Sequence, residues 1–381
     1  MNVITTTEAL RAFVDSCSSH AYVTVDTEFL RERTYYAQLC LIQAAHTDEA
    51  VIIDPLAEGI DLEPFFDLLR DESILKVFHA ARQDLEIFVH MMGSVPAPLF
   101  DTQIAAMVFG FGDQVGYEPL VRDIAGVQVD KGSRFTDWSR RPLSDKQLTY
   151  ALGDVTHLRV VYENFRDRLE ETGRAAWVDE ELSLLRDPNL YAVKPDEAWR
   201  RLKMRNVKPK ELGPLIELAS WRESEAQRRN IPRARVIKDD ALFELGRQRP
   251  SNTKELGALR SIPQGFERSS TAQGLLEAVA KGIEIPREEL PKLENRGRDP
   301  APADVVELLR VLLKRQCEAF DVAPKLLASA SDLEALALSD EADIPALQGW
   351  RREVFGALAL RLKHGELALG LDGKRVTIVD R

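Results

Sequence analysis

The stretch Val23-Thr24-Val25-Asp26-Thr27-Glu28-Phe29 constrains the fold of this chain more than any other. β-Branched residues lead into it and favour an extended backbone. It ends in two carboxylates two positions apart, and side chains alternate along a strand, so Asp26 and Glu28 point the same way. Two acids side by side repel and lose hydration unless a cation sits between them. Hard divalent cations such as Mg²⁺ take oxygen ligands of this kind. Taken alone, Asp-x-Glu is a common pattern and often just a strand end running into a polar turn, so its neighbours have to decide. The next apolar runs, Leu39 to Ile42 and Val51 to Asp54, arrive with only a polar turn at 46–49 between them and no helical pattern. Connections that short force antiparallel pairing, which predicts a three-stranded meander. A helix over Leu62 to Leu69 and a strand over Ile74 to Phe78 follow, a unit that favours a parallel, right-handed crossover. Helix 82–92, strand Pro98 to Phe100 and a helix from Asp101 to Phe109 come next, and a threonine-capped helix over 5–16 precedes the first strand. The expected architecture is a mixed α/β sheet with helices packed on it.

At 381 residues the chain exceeds one typical domain, and two or three are expected. Hydrophobic content of 44% with 30% charged residues is that of a soluble globular protein. No apolar run reaches bilayer-spanning length, and the start at Met1 lacks the basic and apolar pattern of a secretion signal. The three cysteines lie far apart with no Cys-x-x-Cys spacing, which argues for a reducing, cytoplasmic setting and against structural zinc or disulfides. A net charge of −11 argues against broad non-specific binding to nucleic acid. The basic residues are concentrated, however: seven lie between Lys194 and Lys210 against only Asp196 and Glu197, and Arg228, Arg229, Arg233, Arg235 and Lys238 form a second group. Such a cluster is either a solvated helix face or a phosphate-binding strip.

Two further stretches carry chemistry. In Phe78-His79-Ala80-Ala81-Arg82-Gln83-Asp84-Leu85, Asp84 sits in the first turn of a helix that follows a strand. There an acid also suits the helix dipole without any function. His79 at the strand end reads as structural before catalytic. Asp101-Thr102-Gln103 opens another helix, with a capping and positioning role favoured over metal binding. The second stretch lies in a long helix that Ser144 and Gln147 start with a capping box. Tyr150 and Asp154 stand one turn apart on one face of it. Gly153 between them costs helix stability, and is read as leaving room for a close approach to the backbone. Together the order is Asp-x-Glu, Asp, Tyr-x-x-x-Asp. Four carboxylates are able to hold two divalent ions that clamp the attacking and leaving oxygens of a displacement at phosphorus. A phenol beside them is able to orient the attacking water.

These residues resemble the DEDD superfamily of exonucleases with a tyrosine in the third motif, and within it the ribonuclease D family. Val25-Asp26-Thr27-Glu28-Phe29 is similar to the first motif, His79 followed at the fifth position by Asp84-Leu85 to the second, and Tyr150-Ala151 with Asp154-Val155 to the third. One departure from the broader superfamily is that Gln83, not an aromatic residue, precedes Asp84. The resemblance implies a ribonuclease H-like fold over 1–172 and 3′→5′ hydrolysis of RNA to 5′-mononucleotides. It implies that Asp26, Glu28, Asp84 and Asp154 bind two Mg²⁺ or Mn²⁺ ions and that Tyr150 positions the water. Phe29 and Leu30 would touch the terminal nucleotide, with core packing as their alternative, and His79 and Gln103 would lie against the substrate.

Beyond Gly173, a basic helical connector occupies 173–207. The apolar stripe from Leu212 to Trp221, then Asn230-Ile231-Pro232-Arg233 and Asp239-Asp240-Ala241-Leu242, resembles the helical HRDC domain, placed at 208–292. A linker at 293–302 leads to a diverged second copy at 303–381, so that two small all-α units follow the α/β domain. Lys208, Arg229 and Arg233 are the residues expected to grip RNA phosphates there. The implied partner is RNA, namely tRNA precursors with 3′ extensions and other structured RNAs, acted on by a monomer away from any membrane. Two alternatives stay open at this point. One is a DNA exonuclease with the same site, because only the 2′-hydroxyl separates the substrates. The other is a non-catalytic nucleic-acid-binding scaffold.

Overall fold

A computed structural model describes residues 3–130, 132, 136–204, 207–291 and 300–381. Its N-terminal part is a six-stranded sheet. In chain order the strands are β1 (Val3–Ile4), β2 (Tyr22–Leu30), β3 (Gln38–Ala45), β4 (Ala50–Ile53), β5 (Leu75–Phe78) and β6 (Leu99–Asp101). Their order across the sheet is β1-β4-β3-β2-β5-β6. The meander is present: β2 pairs antiparallel with β3, and β3 with β4. The crossover then brings β5 in parallel to β2, and β6 parallel to β5. Strand β1 was not foreseen. Its two residues pair with β4 at the sheet edge, too short a run to show any periodicity.

Helices α1 (Thr7–Cys17), α2 (Glu63–Arg70), α3 (Arg82–Met92), α4 (Thr102–Val108), α5 (Tyr117–Ala125) and α6 (Asp145–Thr172) cover this sheet. The Ser144–Gln147 capping box starts α6, and Gly173 ends it in the left-handed conformation at φ 67°. Only one residue of β3 is exposed, as expected of a strand that is covered on both faces. The Thr24 hydroxyl donates to the Val155 carbonyl of α6 at 2.9 Å, so this face of β2 lies against α6. Alternation then puts Asp26 and Glu28 on the α6 side and Thr27 on the other.

Helix α7 (Ala175–Ser183) and three short 3₁₀ turns lead to α8 (Pro209–Arg228), the spine of a separate helical core with Asp239–Gln248 and Ser270–Glu284. Gly213 and Gly282 make that crossing possible, since a Cβ on Gly282 would stand 2.4 Å from the Pro214 Cα. A last unit, from helix Ala303–Phe320 to helix Ala357–Lys363, shares its core with the α/β sheet rather than standing apart. It ends in an antiparallel hairpin, β7 (Leu367–Asp372) and β8 (Arg375–Asp380), so the expectation of an entirely helical unit is corrected at its C-terminus. The signal was there: Asp372-Gly373 with Gly373 at φ 59°, followed by Val376-Thr377-Ile378-Val379. Of the expected linker at 293–302, residues 293–299 lie outside the described residues. No described helix is long and apolar enough to cross a membrane.

Candidate active site

The residues that follow and precede the motif acids explain how the acids are held. Strand β2 carries a bulge between Glu28 and Phe29, directly after the acid pair. Bulges of this kind re-aim side chains next to active sites. On the opposite face Thr27 donates a short hydrogen bond to the Asp84 carboxylate, fixing α3 against β2. The start of α3 depends on Asp101, the buried N-cap of α4. Its carboxylate accepts from the backbone N–H groups of Ala80 (3.0 Å), Ala81 (2.9 Å) and Gln103 (2.7 Å). Ala80 adopts φ 57° there, a left-handed turn that a residue with a Cβ enters only at a cost. Asp101 therefore caps and positions, as its sequence context indicated.

Helix α6 closes the site. Tyr150 and Asp154 sit on its inward face, and Tyr150 packs 6.1 Å from the buried Trp138 ring. Arg141 holds that tryptophan in place: its guanidinium binds both oxygens of Asp54 and donates to the carbonyls of Trp138 and Cys40. Tyr117, from α5, donates its hydroxyl to the Gly153 carbonyl at 2.9 Å. Asp26, Glu28, His79, Gln103, Tyr117, Tyr150 and Asp154 all line one cavity of about 490 Å³. Its lining includes five carboxylates, with Glu118 and Asp130 added, and no Lys or Arg among the described residues. The consequence is electrostatic. Burial and then the facing Asp154 hold the Asp26 carboxyl well above the usual carboxylate range. Burial and then Asp26 do the same to Asp84, despite the opposing Thr27 hydrogen bond. Burial, Asp154 and Asp26 keep the Tyr117 phenol protonated. Burial depresses His79, whose Nδ1 lies 2.9 Å from the Thr102 hydroxyl. That hydroxyl donates to the Phe78 carbonyl, so the imidazole is the donor between them.

The other residues expected to contact substrate have these surroundings. Gln103 lines the cavity, but its amide N–H donates to the Val115 carbonyl and so braces the loop before α5. Phe29 and Leu30 pack on hydrophobic clusters. Arg233 lines a second, larger cavity, Lys208 a third, and Arg229 is an exposed C-cap of α8. Tyr117 and Arg141 were missed, because neither carries a spacing that marks it. The reading of Gly153 is also corrected. A Cβ there would meet only the His157 ring, at 3.8 Å, and the Tyr117 bond needs only the carbonyl. Gly153→Ala is therefore expected to stabilise the helix by about 0.5–1 kcal/mol and to retain activity, as thermal melting and an RNA digestion assay would show.

Comparison with known proteins fits this geometry. The family model of 3′-5′ exonucleases matches residues 1–170, and that of the HRDC domain matches 212–279. A ribonuclease D of Nitrobacter hamburgensis is 51% identical over 381 residues, covering all of both chains. One from a Jannaschia species is 53% identical over 388 aligned residues, with 100% of this chain and 99% of that one covered. The crystal structure of Escherichia coli RNase D, described as an exoribonuclease involved in structured RNA processing, superposes with a TM-score of 0.82 at 30% identity, covering 96% of this chain and 99% of that one. The ribonuclease H-like sheet, the HRDC helices and full-length similarity of this degree have one meaning: the chain belongs to the ribonuclease D family of 3′→5′ exoribonucleases.

Proposed function

We propose that Asp26, Glu28, Asp84 and Asp154 hold two divalent cations, Mg²⁺ or Mn²⁺, and that the enzyme removes nucleoside 5′-monophosphates from the 3′ ends of structured RNAs, tRNA precursors among them. The observation that carries this is the cavity lined by Asp26, Glu28 and Asp154, with Glu118 and Asp130 and no Lys or Arg in its described lining; Asp84 lies outside that lining, bonded to Thr27, the next residue of β2 after Asp26. Burial and then repulsion between neighbouring acids raise the Asp26 and Asp84 carboxyls, and carboxylates are the donors that hard cations take. When bound, such ions polarise the scissile phosphate and make water nucleophilic at neutral pH. The chain's own groups do the rest. Tyr150, one turn before Asp154, orients the attacking water through its hydroxyl. Tyr117 stays a neutral donor and holds α6 at Gly153, between those two residues. Thr27 and Asp101 keep β2, α3 and α4 in register around the acids. The substrate class follows from the relative described as processing structured RNA. The three cysteines, buried free thiols, suit a reducing cytoplasm. We place the functional units at 1–172, 208–292 and 303–381, joined by the connector 173–207.

The test is a 5′-labelled RNA hairpin with a single-stranded 3′ tail, incubated with Mg²⁺, Mn²⁺ or EDTA beside its DNA counterpart. A ladder shrinking from the RNA 3′ end only with metal is the expected result. Digestion in EDTA, or DNA degraded in preference to RNA, would overturn the reading.

A further inference from the structure

We infer that a cavity of about 880 Å³, larger than the acid-lined one, seats the single-stranded RNA segment lying just 5′ of the nucleotide being removed. This rests on the reaction proposed above and extends it to the substrate's upstream phosphates and bases.

The position comes first. One wall is the segment after β2, beginning with Arg31; another is the α3 face that carries Arg82, Glu86 and His90. Arg31 is three residues past Glu28, about 10 Å along an extended chain. Arg82 is two residues before Asp84 on the same helical turn. The cavity thus begins within two or three residues of Glu28 and Asp84, on the continuation of β2 and on the helix that carry them. Its remaining walls are the connector at 190–193 with Arg201, and the start of the helical module at Arg233. The two units are tied together here: Asn230 accepts from the backbone N–H groups of Tyr35 (3.1 Å) and Tyr36 (3.0 Å). A strand lying in the cavity therefore touches both the α/β domain and the HRDC module.

The chemistry follows. The described lining has four guanidiniums, on Arg31, Arg82, Arg201 and Arg233, against a single carboxylate, Glu86. Two of the four are engaged, Arg31 with Glu86 and Arg233 with Glu223. Arg82 and Arg201 are exposed and make no ion pair among the described residues. Flat rings lie among them: Tyr36 stacks on the exposed His90 at 3.7 Å and 7°, and Arg233 lies over Tyr35 at 5.1 Å. Guanidiniums that meet phosphates, interleaved with rings that meet bases, are the chemistry of sequence-tolerant single-strand binding. The volume is in the ligand-sized range. In a chain of net charge −11, two cavities of opposite sign divide the work: acids where the bond breaks, cations where the strand arrives.

The experiment uses the full chain and the double variant Arg82→Gln with Arg201→Gln. Both side chains are exposed, and a melting curve checks that the fold is kept. Fluorescence anisotropy with a labelled ten-nucleotide RNA in EDTA reads binding without hydrolysis. The expected result is a 10- to 100-fold loss of affinity, with the slope of log K against log salt reduced by about 1.4, as for two lost single-strand phosphate contacts. With metal, the ratio of kcat/KM on the decamer to that on a dinucleotide should fall by a similar factor. Unchanged anisotropy, or equal losses on dinucleotide and decamer, overturns the inference. Binding that depends on these arginines in a wild-type chain that does not hydrolyse RNA with metal overturns the proposed reaction and leaves the seat standing.

Discussion

Asp26→Asn is expected to abolish hydrolysis of a 3′-tailed RNA while leaving RNA affinity nearly unchanged. Asp26 lines the acid cavity; burial and then Asp154 raise its pKa, and it in turn helps to raise that of Asp84. The amide keeps the shape and removes one anionic oxygen donor. Loss of cation-based transition-state stabilisation is worth about 4 kcal/mol or more, roughly 10³-fold at 1.36 kcal/mol per decade. Affinity survives because the substrate phosphates are met by guanidiniums outside this cavity. The same variant should also melt higher than the wild type when both are metal-free at neutral pH. The sign follows from the direction of the shift. Asp26 has its folded pKa raised, so its ionisation opposes folding. The penalty is absent below the unfolded pKa near 3.9, grows as pH rises, and is complete above the folded value. The gain in melting temperature should therefore vanish near pH 4 and grow as pH rises towards neutral. Added Mg²⁺ or Mn²⁺ should raise the wild type and not the variant. An active Asp26→Asn, or one that melts lower than metal-free wild type at pH 7, would refute this account of the site.

How much of this was legible depends on the kind of signal. The meander, the crossover and α3 follow from apolar runs and the shortness of what separates them, which act over a few residues. The motif acids were legible because their spacing already places them on shared faces: period two for Asp26 and Glu28, one helical turn for Tyr150 and Asp154. The supporting shell was not. Arg141 reaches Asp54, 87 positions away, and Tyr117 reaches Gly153, 36 positions away; neither pairing leaves a local periodicity. Gly153 misled for a related reason, since a helical glycine signals close approach only where a neighbour fills the space. The basic clusters were visible as composition, yet Arg233, Lys208 and Arg229 went to three different surroundings. Arg82, from outside those clusters, stands at the seat proposed here. Tertiary structure sorts charges that sequence only counts.

Arg351→Ala tests how the last unit is joined to the sheet domain, and a loss of about 3–5 kcal/mol is expected, the cost of stripping a partner from a buried ion pair. Arg351 is 7% exposed. Its guanidinium meets Glu180 and Glu181 of α7, and its Nε donates to the Leu326 carbonyl at 2.6 Å. Beside it Trp350 stacks on Trp177 of α7 at 4.3 Å and 9°. Truncation leaves the Glu181 carboxylate and the Leu326 carbonyl buried without their donor. The two units share one hydrophobic core, so the loss should appear as one transition moved down in temperature rather than as a separate early melt. Arg351→Lys should not rescue it, because a single ammonium lacks the planar fork that reaches two carboxylates and a carbonyl together. Arg351→Leu combined with Glu181→Leu should recover most of the loss, since the penalty lies in the orphaned charge and not in the missing attraction. A single Arg351→Ala variant that melts with the wild type would mean that the tryptophan stack and the shared core dock the unit without help from the ion pair.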